Sequence, residues 1–182
     1  MEAFRFATVI SRSDEDVTVT QLPLILDRSR GKYGHLIGHM DRNNPHSRYL
    51  EGNRVFAVFH GPNAYISPNV YESTQLPTWN SVSVHVRGTA AIISSLEIIK
   101  ASLIRMTSTL EAKSAAPYSL LPDDPAMARL LEHIVGFEIS IEEVVGRFKL
   151  SQDKVARDLN LAMDHLLRQN VGEHSDLIRS LA

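Results

Sequence analysis

Along most of this chain apolar and polar residues alternate with a period of two, and a helical period takes over only in the second half. Residues 6–11 and 17–26 are rich in β-branched side chains, which suit a pleated, half-buried surface. They predict two strands joined by the acidic turn Asp14-Glu15-Asp16. Pro23 has no N–H to give a ladder, so it belongs at an edge or a bulge. A third strand is predicted over 32–39, with His35, Ile37 and His39 sharing one face. Asn44-Pro45 then supplies the N-cap and first turn of a short helix. Strands are also predicted over 54–60 and 82–93. In the second, Val82, Val84, Val86, Gly88 and Ala90 alternate with Ser83, His85, Arg87 and Thr89, giving one buried and one polar face.

The helical period starts at Ser94-Ser95-Leu96-Glu97, a capping-box pattern, and carries Leu96, Ile99, Leu103, Met106 and Leu110 on one stripe. Residues 115–124, with Pro117 and Pro122, read as a loop; Asp124-Pro125 opens a second helix ending near Gly136. Two late strands are predicted over 137–141 and 144–150. Ser151 then caps a terminal helix running to about Asn170, and the last dozen residues are expected to fray. Many strands with helices inserted late make an α+β fold with a mainly antiparallel sheet.

A length of 182 residues fits one domain, and 43% hydrophobic with 22% charged residues is the balance of an ordinary globular protein. No apolar run is long enough to span a bilayer, and Met1-Glu2-Ala3-Phe4-Arg5 lacks the charged-then-apolar pattern of a signal peptide, so a cytoplasmic location is expected. The absence of cysteine excludes disulfides, thiolate metal sites and cysteine nucleophiles. A formal net charge of −2 argues against broad nucleic-acid binding, which needs a basic face to neutralise phosphates. Hydrolase and Rossmann readings fail for want of Gly-x-Ser-x-Gly and of a Gly-rich phosphate loop, and no catalytic residue is visible. His35 and His39 lie too far apart along a strand for easy chelation and lack carboxylate neighbours, so no metal site is expected.

Two stretches carry candidate binding chemistry. Between residues 57 and 85, Gly61-Pro62, Pro68 and Pro77 stiffen a segment that bears Tyr65, Ser67, Thr78, Trp79 and Asn80, a set suited to a flat ligand with polar edges. In Gly38-His39-Met40-Asp41-Arg42-Asn43-Asn44-Pro45, a strand end leads into a helix N-terminus where N–H groups and Arg42 suit an anion, although an N-capped helix with a solvated arginine explains the same residues. Lys149, Ser151 and Gln152 give the late strand end hydrogen-bonding reach. Residues 153–170 have an apolar stripe, but Asp153, Asp158 and Asp164 intersperse the basic residues, which favours packing or dimerisation over DNA contact.

Seven strings occur in order over roughly residues 4–152: Thr20-Gln21-Leu22-Pro23-Leu24-Ile25-Leu26-Asp27, Gly34-His35-Leu36-Ile37-Gly38-His39, Asn44-Pro45, Gly61-Pro62-Asn63-Ala64-Tyr65-Ile66-Ser67-Pro68, Pro77-Thr78-Trp79-Asn80, Val135-Gly136-Phe137-Glu138-Ile139 and Lys149-Leu150-Ser151-Gln152. Together they resemble the PaiB-type family of FMN-binding negative transcriptional regulators. The resemblance implies a split β-barrel with flanking helices, residues 1–150 forming the FMN-binding domain and 151–182 a helix and tail packed on it. It also implies FMN held at a homodimer interface, with phosphate near His39, Arg42 and Asn43 and ring near Gln21, Tyr65, Ser67, Trp79 and Asn80, while Lys149, Ser151 and Gln152 reach the cofactor or the partner. Gln21 and Asn63 stand where histidines are common in the family, Ser81 where an aromatic is common, and the segment before the first strand is short. Three functions fit: a negative transcriptional regulator or flavin-linked sensor, an FMN-dependent oxidoreductase, and a scaffold that kept the fold and lost the cofactor. Direct, tight DNA binding by the chain alone is not expected.

Overall fold

The computed structural model describes residues 1–12 and 16–181. Seven strands, β1 (Phe6–Arg12), β2 (Val17–Pro23), β3 (Ile25–Asp27), β4 (His35–Asp41), β5 (Arg54–Ile66), β6 (Thr78–Ile92) and β7 (Ile134–Lys149), form one sheet in the order β2-β1-β5-β6-β7-β4-β3. Every neighbouring pair is antiparallel. The two edge strands, β2 and β3, are separated in sequence by Leu24 alone, so the sheet curls until its edges meet. This is the expected α+β split barrel, flanked by α1 (Leu96–Glu111), α2 (Pro125–His133), α3 (Ala156–Gln169) and α4 (Glu173–Leu181).

Pro23 ends an edge strand, as its missing N–H requires. Other local expectations change. The stretch read as one strand over 17–26 is two strands, parted at Leu24. Gly61-Pro62 is no turn: β5 runs through it, with a register shift between His60 and Asn63 that takes the proline out of the ladder. β6 starts at Thr78, so Trp79 and Asn80 are strand residues. The two late strands are one, β7, with a register shift opposite Arg87 and Gly88 in place of a break. The cap of α1 is Ser95, whose hydroxyl accepts from Ile98 N at 3.4 Å. Ser151 caps no helix: α3 starts at Ala156 and its cap position, Val155, has no side-chain bond. The last residues are not frayed but form α4, with Ile178 2% exposed. Asp14 and Glu15 of the expected acidic turn lie outside the described residues.

Alternation sorts the side chains into three apolar groups. Val9, Leu24, Leu36, Ala57, Phe59, Val86, Phe137 and Ile139 fill the barrel. Ile37, Ile93 and Ile134 pack under α1 and α2 against Ile99, Leu103 and Met127. Ala64, Ile66 and Val82 pack against Ala162 and Leu166 of α3 and Ile178 of α4. Full burial of each Leu or Ile side chain contributes about 1.5–3 kcal/mol, which holds α3 on the sheet end where β5 and β6 project beyond β7.

A fully buried polar side chain pins β1 and β2 to the 3-10 turn Pro45–Tyr49. Asn44 Oδ1 accepts from His46 N at 3.0 Å, and the His46 ring bridges Thr20 Oγ1 at 2.9 Å and Ser11 Oγ at 2.8 Å. Burial pushes its pKa down. In the unfolded chain His46 takes a proton near its ordinary value of about 6.5, while the folded protein resists it, so stability falls as pH drops through that value. Chemical denaturation at pH 7.5 and 5.5 is expected to give a smaller difference for His46→Gln than for the wild type.

Candidate functional site

β6 outruns β7. Its first ladder partner there is Lys149, opposite Ser81, so Thr78, Trp79 and Asn80 are paired only to β5. The chain after Lys149 turns back beside this unpaired segment through Ser151, at φ 66 the one non-glycine residue with positive φ among the described residues. Gln152 ties the turn, its Oε1 accepting from Leu150 N at 2.6 Å and its Nε2 donating to Phe148 O at 2.5 Å. Between the turn and the segment Gln75-Leu76-Pro77-Thr78 lies a cleft of about 260 Å³, lined also by Asn80, Lys149, Ser151, Gln152, Asp153 and Lys154.

Asn80 decides what the cleft offers. Ser151 Oγ donates to Asn80 Oδ1 at 3.0 Å. Since that uses the only Ser151 hydroxyl proton, the 2.9 Å contact with Tyr71 must have Tyr71 OH as donor. The chain Tyr71 to Ser151 to Asn80 thereby fixes the amide, and Asn80 Nδ2 is left buried without a partner. An unpaired buried donor costs about 1–3 kcal/mol, a penalty that an acceptor brought by a ligand would remove. Lys149 and Thr78 add further donors to the same cleft.

On the opposite, outer face of the same strand ends, Tyr65 and Trp79 pair across the ladder with ring centroids 6.2 Å apart, and Trp79 Nε1 donates to Asn63 Oδ1 at 3.2 Å. Both rings are about half exposed. Next to them an outer trough of about 780 Å³ is lined by Ser81, Ser83, His85, Val145, Arg147 and Lys149 among others. Lys149 borders both cavities. Burial first, then Arg147, Arg87 and His60, lower the His85 pKa and keep it a neutral hydrogen-bonding group at pH 7.

The structure thus brings Asn80, Lys149, Ser151 and Gln152 into one cleft, with Tyr65 and Trp79 on the opposite face of the same strand ends. Ser67 faces its own 3-10 turn, its Oγ accepting from Asn69 N at 3.3 Å. Gln21 belongs to a separate chain in which its Nε2 donates to Thr8 Oγ1 at 3.3 Å and Thr8 meets His60 Nε2 at 3.0 Å. His39, Arg42 and Asn43 sit at the far end of β7, where Asp41 pairs Ile134; roughly 50 Å of strand separates that end from Lys149. Arg42 closes the end of α2, donating from Nε to Glu132 O at 3.1 Å and from Nη2 to Ile134 O at 2.8 Å. His39 is half-buried on the face of β4 shared with Ile37, and burial lowers its pKa. Asn43 N donates to Asp41 Oδ1 at 2.7 Å. Sequence reasoning missed Gln75, Ser81, Ser83 and Arg147. The signal was the period of two, which puts Ser81, Ser83 and His85 on the face of Val145, Arg147 and Lys149 once β6 and β7 are set in register.

Residues 1–143 match the family model described as "Putative FMN-binding domain". The chain belongs to this family. Family membership supports FMN as the cofactor. A relative in Bacillus subtilis, "Protease synthase and sporulation protein PAI 2", is 31% identical over 88% of this chain and 78% of its own length, in keeping with the PaiB-type resemblance. An uncharacterized protein of Emericella nidulans is 26% identical over 74% of this chain and 68% of its own. Among solved structures, the FAD and heme binding protein of Mycobacterium smegmatis superposes with a TM-score of 0.62 at 16% identity, covering 87% of this chain and 73% of that one. The flavocytochrome Anf3 of Azotobacter vinelandii gives 0.61 at 16% identity, over 81% and 63%. At these identities the two structures speak for the split-barrel fold.

Proposed function

We propose that this member of the FMN-binding family holds FMN at the projecting end of β5, β6 and β7, and that it acts in negative transcriptional control through the bound flavin. The observation that carries the reading is the buried, unpartnered Nδ2 of Asn80, a residue that lines a cleft rich in donors. That cleft is smaller than the roughly 300–1,000 Å³ of pockets that enclose a whole drug-sized ligand, so it suits one end of a longer molecule, such as the carbonyl edge of an isoalloxazine. On the outer face, reached past Lys149, which borders both cavities, Tyr65 and Trp79 supply flat apolar surface, while Arg147, Lys149, Ser81 and Ser83 supply charge and hydroxyls for a phosphate. Arg42, engaged by the carbonyls of Glu132 and Ile134, is the weaker candidate for that role. Bound FMN would bring its own one- and two-electron chemistry, and the chain's part is to bind and orient it.

Titration with FMN, followed by flavin fluorescence and by thermal stability, tests the reading. Arg147→Ala is expected to weaken FMN about tenfold and to leave riboflavin, which has no phosphate, nearly unchanged, whereas Arg42→Ala treats the two alike. Absence of both quenching and stabilisation in the wild type would reject flavin binding.

The chain is further proposed to be a two-fold homodimer through the outer face of β2, β1, β5, β6 and β7. Ile10, Val19, Phe56, Val58 and Val145 lie there at outward positions, and His85 and Arg87 pack on Phe56. An apolar, β-branched outer face of this kind is ordinarily covered. Light scattering at micromolar concentration is expected to give twice the chain mass, and Val58→Lys to give the monomer with an unchanged circular dichroism spectrum. Control of transcription would run through a partner or the flavin's redox state, since the charge of −2 offers little counterion release and the acidic residues of α3 break any basic face. Nanomolar promoter binding by the purified protein at physiological salt would contradict this.

A further inference from the structure

Asp158, in the first turn of α3, is 1% exposed, and its oxygens are turned to the segment that walls the cleft. Its Oδ1 accepts from Glu72 N at 2.8 Å and from Ser73 N at 3.5 Å, and its Oδ2 accepts from the Ser73 hydroxyl. Ser73 Oγ, its proton committed to Asp158, accepts in turn from Gln75 Nε2 at 2.8 Å. Gln75 lines the cleft. With one of its two Nε2 hydrogens given to Ser73, the Gln75 amide is oriented and keeps Oε1, an acceptor, free for a ligand. Asn80, held by Ser151, offers Nδ2, a donor.

Resting on the flavin reading above, we infer that Asp158 is a positioning residue of the cleft: through Ser73 it turns Gln75 so that an acceptor faces the ligand beside the Asn80 donor, a pair complementary to an imide edge, N–H flanked by C=O. The flavin ring carries such an edge at its pyrimidine end, so the cleft takes that end and discriminates against ligands in which the imide nitrogen bears no hydrogen. The carboxylate is held charged chiefly by the Ser73 hydroxyl, and a charged acceptor binds the strap more firmly than a neutral one.

The test compares FMN with N3-methyl FMN, which keeps the carbonyls and loses the imide hydrogen, by fluorescence titration of the full chain. The wild type is expected to bind FMN about tenfold or more tightly than the N3-methyl compound. In Ser73→Ala, which leaves Asp158 its two backbone donors, the preference is expected to fall to about threefold or less, chiefly through weaker FMN binding; Ser73→Thr, which restores the hydroxyl, is expected to recover it. Asp158→Asn should behave like Ser73→Ala, and circular dichroism establishes that each variant is folded. An unchanged preference in folded Ser73→Ala overturns the relay while leaving flavin binding intact. Equal affinity of the wild type for both compounds overturns the imide assignment, and no binding of either overturns the flavin reading itself.

Discussion

Asn80→Asp is expected to weaken FMN by about a hundredfold in a fluorescence titration. The substitution exchanges a buried, unpaired donor of the cleft for a carboxylate oxygen, so a flavin carbonyl would meet a negative charge in place of an N–H. The loss combines a hydrogen bond worth about 1–1.5 kcal/mol with the desolvation and repulsion of a charge facing a carbonyl, about as much again, and each 1.4 kcal/mol is tenfold. Asn80→Ala separates the two contributions: it removes the donor without adding charge, and a loss of about tenfold is expected. FMN affinities within threefold of the wild type in both variants would remove Asn80 from the site.

The largest effect on stability is expected at Gly88. A Cβ there falls on the carbonyl oxygen of Ser140 and 2.8 Å from Ile139 Cγ2, at the register shift between β6 and β7. The oxygen belongs to the paired backbone of β7 and cannot rotate aside, so Gly88→Ala is expected to cost about 3 kcal/mol in chemical denaturation, the upper range for overpacking. Gly146→Ala makes the contrast: the added Cβ lies 2.9 Å from the Phe148 ring, which is 46% exposed and free to swing, and a change within about 0.5 kcal/mol is expected.

What was legible in the sequence was the set of strands, their two-residue alternation and the helical stripe of Ile99, Leu103 and Met106, because these patterns answer to burial on one face. Boundaries were less so. Gly61-Pro62 looks like a turn to any local rule and Glu142-Glu143 interrupts the apolar alternation, but the long pairings of β5 with β6 and β6 with β7 carry the backbone through both as bulges. Asn80, Ser151 and Lys149 could be picked out as polar groups at strand ends; that Asn80 is the buried member with a free donor depends on Tyr71, 80 residues from Ser151, and no spacing rule connects them. Arg42 shows the reverse case. Its neighbours looked like an anion site, and only the arrival of α2 from 90 residues downstream accounts for its guanidinium.

The single residue between β2 and β3 makes the barrel seam a clasp. Leu24 is 1% exposed, its N–H donates to Arg5 O at 2.9 Å, and its side chain packs in the barrel with Leu22, Leu36 and Phe137. Pulling it out would release both edges of the sheet together and bare two unpaired rows of amides to other chains, so the barrel's protection against edge-to-edge aggregation hangs on one leucine. Amide exchange in β2 and β3 is therefore expected to track a shared opening, although the two strands lie at opposite ends of the ladder order.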